Sequence, residues 1–245
     1  MHPFLRACLE ANRTIARRIA DGLSDAQRHK STVGAGGDIS SGIDLEAEAV
    51  FVEHLSLFGQ IHSEESGIIG EGTHRILLDP IDGSSNILSG FPYYGTSAAL
   101  IDPHGVTIAA CVCNLAAGEI FFKTPGTPAL HGDLLSNDFK PYLPSGTPEI
   151  GIFERAYAHQ DLVRLLGEQQ LKFRAPGAVA LSLVYSLQAR YFLFVGQYRA
   201  YDFAAGLAFL EGMEVEAKED YVIAVHDREM MGRIGSLLEK ATGVC

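Results

Sequence analysis

Basic residues are scarce in this chain: 19 lysines and arginines stand against 30 aspartates and glutamates, a formal net charge of −11, and no cationic run is longer than the pair Arg17-Arg18. Unassisted binding to nucleic acid or to an anionic membrane is therefore disfavoured, because both would repel the chain. Cysteine is sparse as well. Cys8, Cys111, Cys113 and Cys245 lie apart except for one Cys-x-Cys, which excludes the paired spacing of a zinc site and leaves small buried hydrophobes or free thiols. The N-terminal stretch MHPFLRACLEANRTIARRIADGL lacks an uninterrupted apolar segment of signal-peptide or membrane-span length. A cytoplasmic protein with reduced thiols is expected. Repeats and low-complexity tracts are also missing.

What is present is an ordinary globular composition. With 245 residues, 47% hydrophobic and 20% charged, the chain folds as one large domain or two small ones around a substantial core. Phe4, Leu5, Cys8, Leu9, Ile15, Ile19 and Leu23 fall largely on one helical stripe, with Arg13, Arg17 and Arg18 elsewhere on the wheel. A glycine-rich loop, VGAGGDISSGID, leads to helical periodicity from Leu45 to Phe58. The run Ile76 to Leu78 reads as a buried strand that should stop near Asp79, since Pro80 has no ladder donor.

From Thr96 to Phe122 the pattern predicts three strands in an antiparallel meander, turning at Asp102–Gly105 and at Ala116–Gly118. The Pro- and Gly-rich region 123–149 is the best boundary, dividing an N-terminal α+β portion (1–135) from a C-terminal α/β portion (136–245) that together form one compact unit. Beyond it, strands at EIGIFERAY, RYFLFVG and YVIAVH alternate with helices at HQDLVRLLGEQQ, GAVALSLVYSLQA, YDFAAGLAFLEGM and DREMMGRIGSLLEKA. The fold class is α/β or α+β in layers.

The stretch LLDPIDGSSN carries the chemistry. Carboxylates at i and i+3 across a proline turn converge, and two such charges repel unless a cation sits between them. Magnesium prefers oxygen ligands of this kind, and Gly83 and Ser84 let backbone N–H groups approach an anion. Asp-Pro and Asp-Gly are also common turn chemistry, and Asp202 alone reads as a helix cap.

SEES, then LLDPIDGSSN and, far downstream, YDFAAG resemble the signature of the Mg²⁺-dependent, lithium-sensitive phosphatases, the inositol monophosphatase and fructose-1,6-bisphosphatase superfamily. GGDISSGIDLEAE and APGAVALSLVYSL are similar to two further family segments, so the likeness runs over roughly residues 4 to 215. It implies a layered α-β-α-β-α sandwich and two or three Mg²⁺ ions. By this resemblance Glu64, Asp79 and the Ile81 carbonyl hold one ion, and Asp79, Asp82 and Asp202 hold the second. A third, weaker ion lies near Glu64. Asp44 and Ser84 orient the attacking water with Glu64 as a further catalytic group, while Asp82, Gly83, Ser84 and Arg174 bind substrate. Tyr198 and Arg199 also fall where family chains place substrate-facing groups. Val195, counted back from Asp202 without gaps, stands where inositol monophosphatases carry an acid that touches sugar hydroxyls.

The function implied is hydrolysis of a small sugar or polyol phosphate by metal-activated water. Alternatives on the same metal core are fructose 1,6-bisphosphate or 3′-phosphoadenosine 5′-phosphate as substrate. Outside enzymology, the alternative is a regulatory binding scaffold with vestigial activity. The expected partners are a small phosphorylated metabolite and a second copy of the chain in a homodimer, with neither nucleic acid nor membrane.

Overall fold

The apolar stripe at the N-terminus is buried along helix α1 (Pro3–Ile19), which begins with proline in its first turn, where no intrahelical donor is lost. The structure, a computed structural model, describes residues 1–144 and 146–243; Cys245 lies outside the described residues. After the short α2 (Asp25–Arg28) the expected glycine-rich loop is instead a hairpin of β1 (Lys30–Val33) and β2 (Ile39–Ser41). Gly37, at φ +94°, supplies the left-handed step of its turn, and Gly34 N–H closes it on the Asp38 carbonyl at 2.8 Å. Helix α3 (Gly42–Leu55) then starts earlier than its apolar periodicity suggests, because Ser41 and Asp44 form a capping box over its first turn.

The chain next lays down β3 (Gln60–Ser63), β4 (Gly67–Ile69), β5 (Arg75–Asp82), the short helix α4 (Ser84–Ser89) and β6 (Gly95–Ile101). β7 (Thr107–Asn114), β8 (Glu119–Lys123), β9 (Leu130–Asp133) and β10 (Lys140–Pro141) complete an eight-stranded sheet in the order β10-β9-β8-β7-β6-β5-β3-β4. The meander of β6 to β8 is antiparallel as expected, and β9 and β10 extend it into the region predicted as a boundary. Pro80 does not end its strand. Asp79 pairs with Ser97 and Asp82 with Gly95, so three steps along β5 face two along β6, and this bulge absorbs the residue that has no N–H.

The second sheet holds β11 (Gly151–Glu154), β12 (Phe173–Arg174), β13 (Tyr191–Val195), β14 (Glu214–Ala217) and β15 (Tyr221–Val225) in the order β12-β11-β13-β15-β14. Between its strands come α5 (Gln160–Glu168), α6 (Val179–Tyr185) and α7 (Ala200–Ala208), and α8 (Arg228–Thr242) follows the last.

Helices α1 and α3 cover one face of the large sheet, α6 and α7 fill the space between the sheets, and α5 and α8 cover the outer face of the small one. The result is the layered α-β-α-β-α sandwich. β7 shows how one strand serves two layers: Cys111 and Cys113 pack with Phe4 and Phe51, while Ala110 and Val112 pack with Phe192 and Phe203. Each such buried phenylalanine contributes roughly 1.5–3 kcal/mol. No helix among the described residues is long and apolar enough to cross a membrane.

Candidate metal centre and active site

Two parallel strands bring the first acids together. β3 runs beside β5 with Ser63 opposite Leu78 as their last pair, so both strands point toward the same edge, and Glu64 N–H donates to the Leu78 carbonyl at 3.0 Å. Glu64 and Asp79 thus follow corresponding positions. Asp202 arrives in the first turn of α7, from the layer between the sheets. One carboxylate oxygen from each of Glu64, Asp79 and Asp202 lies within 4.8 Å of the others. Asp82, at the end of β5, is buried and accepts the Leu181 N–H of α6 at 2.9 Å on one oxygen.

The turn after β5 is built around Gly83. Its φ of +91° favours glycine, and a Cβ there would press on Ala178 and the Tyr93 carbonyl at 3.1 Å. Ser84 follows, with its hydroxyl donating to Asp44 Oδ1 at 2.8 Å and lying 3.0 Å from the Ile81 carbonyl. Asp44 in turn is fixed by the capping box of α3, where Oδ2 accepts from Ser41 N–H at 2.6 Å and from the Ser41 hydroxyl at 2.7 Å. The tip of the β1–β2 hairpin closes onto the acids: Gly36 N–H donates to the Glu64 carbonyl at 2.7 Å and Ala35 N–H to that of Glu65 at 2.8 Å. A Cβ on Gly36 would overlap the Glu64 side chain.

So many carboxylates in a dry place resist ionisation. Burial first, and then the charge of Asp202, pushes Glu64 from 4.5 up to about 8. Burial lifts Glu65 to about 7 against the Ser40 hydroxyl that it accepts. Asp79 is held well above the ordinary carboxylate range by burial and by Glu64, Asp82 and Asp202; Asp82 is raised by burial against the Leu181 N–H; Asp202 is raised by burial against Arg199. Asp79 is 3% exposed, and its Oδ1 is, among the described residues, the buried side-chain oxygen with no hydrogen-bond partner. An oxygen-only donor set that includes a buried carboxylate with an unpartnered oxygen fits a hard divalent cation such as Mg²⁺.

Asp44, Glu64, Asp79, Ile81, Asp82, Gly83, Ser84 and Asp202, all expected from sequence, line one open cleft of about 790 Å³. Arg174 does not. It sits on the two-residue edge strand β12 with its side chain exposed and Nη1 turned back to the Phe173 carbonyl at 2.9 Å, whereas Lys30, Arg155 and Arg199 are the cations lining the cleft. Val195 faces away as well, packing with Phe153 and Leu193 and lining a separate cavity of about 1090 Å³ near Lys218 and Leu238. Phe194 is the β13 side chain on the cleft. The separate cavity is larger, but the gathered acid oxygens are in the smaller cleft.

Glu154 was not anticipated. It ends β11 opposite Phe194, is buried, lines the cleft, and accepts from Gly177 N–H at 3.0 Å and from the Ser182 hydroxyl. Its signal was an acid closing the apolar run of GIFE, the same device as in LLD.

The layered fold and this cleft define the class. Residues 1–214 match the sequence profile of the inositol monophosphatase family, and the chain belongs to that family. The Nus factor SuhB of Vibrio cholerae is 31% identical over 134 residues, which cover 53% of this chain and only half, 50%, of that relative. The inositol-1-monophosphatase of Rhizobium meliloti is 27% identical over 225 residues, covering 86% of this chain and 81% of its own. The crystal structure of the extragenic suppressor protein suhB from Bartonella henselae superposes with a TM-score of 0.78 over 97% of both chains at 23% identity, a likeness of fold.

Proposed function

We propose that the chain is a Mg²⁺-dependent phosphate monoester hydrolase acting on a small sugar or polyol phosphate. The observation that carries this is Asp79: a buried carboxylate, one oxygen without a partner, set among Glu64 and Asp202 oxygens within 4.8 Å. Glu64, Asp79 and the Ile81 carbonyl would hold one ion, and Asp79, Asp82 and Asp202 the other. Bound there, Mg²⁺ supplies Lewis acidity and positive charge against the phosphoryl oxygens.

The chain's own residues do the rest. Gly83, lacking a Cβ, lets the phosphoryl group come close to the backbone of the turn. Ser84 accepts a proton from an attacking water while its own hydroxyl proton moves along the 2.8 Å hydrogen bond to Asp44 Oδ1, which the α3 cap keeps in line. Phosphoryl transfer asks a protein chiefly for positioning and charge, and both are provided here.

The test is phosphate release from inositol 1-phosphate, fructose 1,6-bisphosphate, 3′-phosphoadenosine 5′-phosphate and simple sugar phosphates, with Mg²⁺ and with EDTA. Release that needs Mg²⁺ and stops in EDTA is expected for at least one ester. A second reading, a binding scaffold with vestigial activity, is favoured by relatives named Nus factor SuhB. Silence across the panel while the ion binds would select it.

A further inference from the structure

Arg199 stands just ahead of α7, and its guanidinium reaches acids from three separate elements. Nε lies 2.9 Å from Asp202 Oδ2; Nη1 lies 3.0 Å from Glu64 Oε1 and 2.6 Å from Asp38 Oδ2, and it also reaches the Gly36 carbonyl at 3.4 Å. Glu64 and Asp202 each give one oxygen to this contact and keep the other, while Asp38 comes from the tip of the β1–β2 hairpin. An ammonium would serve only one such direction at a time; the planar fork serves all of them.

We propose that Arg199 is a built-in cation that fills the outer flank of the acid cluster, where Glu64, Asp38 and Asp202 would otherwise hold an additional divalent ion. The native chain therefore takes one divalent ion fewer than its carboxylates allow. This rests on the metal-dependent reading of the site. The guanidinium excludes a second cation by volume, by repulsion and by engaging the oxygens that would coordinate it. Unlike an exchangeable ion it is always present, so the hairpin tip stays tied to Glu64 and Asp202 whatever the Mg²⁺ concentration. A guanidinium stays protonated at any working pH, so this cation is permanent.

The experiment counts Mn²⁺ ions on the metal-stripped full chain by calorimetry, with free Mn²⁺ followed by electron paramagnetic resonance. Arg199→Gln is expected to bind one more equivalent than the native chain. Arg199→Lys, which keeps a charge but cannot span the three acids, should show the extra equivalent only at Mn²⁺ concentrations at least ~10-fold higher than Arg199→Gln. Circular dichroism checks the fold, and if the glutamine variant is unfolded the lysine variant decides, an unchanged count refuting the proposal. Equal counts in native and Arg199→Gln protein overturn the role of Arg199 and leave the metal reading standing. If the native chain binds no Mn²⁺, both fall.

Discussion

Replacing Asp79 with asparagine should move stability in opposite directions according to whether the ion is present. The oxygens of Glu64, Asp79 and Asp202 lie within 4.8 Å of one another. At an effective dielectric of about 20, two unit charges at that separation repel by roughly 3–4 kcal/mol. The folded protein avoids part of this by keeping a proton: the carboxyl of Asp79 is raised above 3.8 by burial and by its neighbours. A raised folded value means that the native state binds more protons than the unfolded one, so stability falls as pH climbs from the unfolded value through the folded one. Asparagine escapes that loss. In EDTA at pH 8 the Asp79→Asn protein should be about 1–3 kcal/mol more stable than the native chain, a rise in Tm of roughly 2–12 °C for a chain of this size. At pH 5 the gap should narrow. Mg²⁺ at a hundred times its Kd should add about 2.7 kcal/mol to the native chain and far less to the variant, which lacks the shared ligand. Calorimetric scans in EDTA at both pH values, and then in Mg²⁺, supply the numbers. An asparagine variant less stable than the native chain in EDTA at pH 8, or equally stabilised by Mg²⁺, would refute the reasoning.

Asp44→Asn removes the proton acceptor for Ser84 but no proposed ion ligand, so turnover should fall by about 10²–10⁴-fold while calorimetry counts the same ions; loss of both ions would show that Asp44 shapes the metal sites instead. Asn86 ties the turn after β5 to the approach to α6, donating to the Tyr93 carbonyl at 2.6 Å and to that of Pro176 at 2.8 Å. Asn86→Ala strands both carbonyls and should cost about 1–3 kcal/mol in urea unfolding. An effect within experimental error would mean that water replaces the amide without loss.

The acids of the cleft were legible through their motifs: SEES, LLDPIDGSSN and YDFAAG together resemble the family signature, whereas alone the Asp-Pro and Asp-Gly steps read as turn chemistry and Asp202 as a helix cap. The meander was legible from local pattern, its strands being apolar and its turns marked. The β1–β2 hairpin was not, since KSTV and ISS have neither alternation nor bulk, and their pairing depends on glycines that also read as a loop. Pro80 misled because the partner strand decides whether a proline is tolerated, and the bulge against β6 is invisible in β5 alone. β14 is a mostly exposed edge, EVEA, with too little apolar content to stand out. Which arginines face the cleft was likewise set at long range. Arg174 and Arg199 look alike in sequence, but one lies on a two-residue sheet edge and the other enters the layer between the sheets.

The acids come from elements far apart in the chain: Asp44 opens α3, Glu64 follows β3, Asp79 and Asp82 end β5, and Asp202 opens α7. No local segment meets the full repulsion. It arises only when the two sheets pack over α6 and α7, which is also when Phe121, Phe192, Leu181 and Phe203 leave water. The electrostatic cost and the apolar gain therefore fall on the same step, and the middle layer has to be stable enough to hold the carboxylates together before an ion arrives. That order would matter for ion exchange: a cluster assembled only by ions would be lost with them, whereas one assembled by packing would let a proposed divalent ion leave and return with the cleft intact.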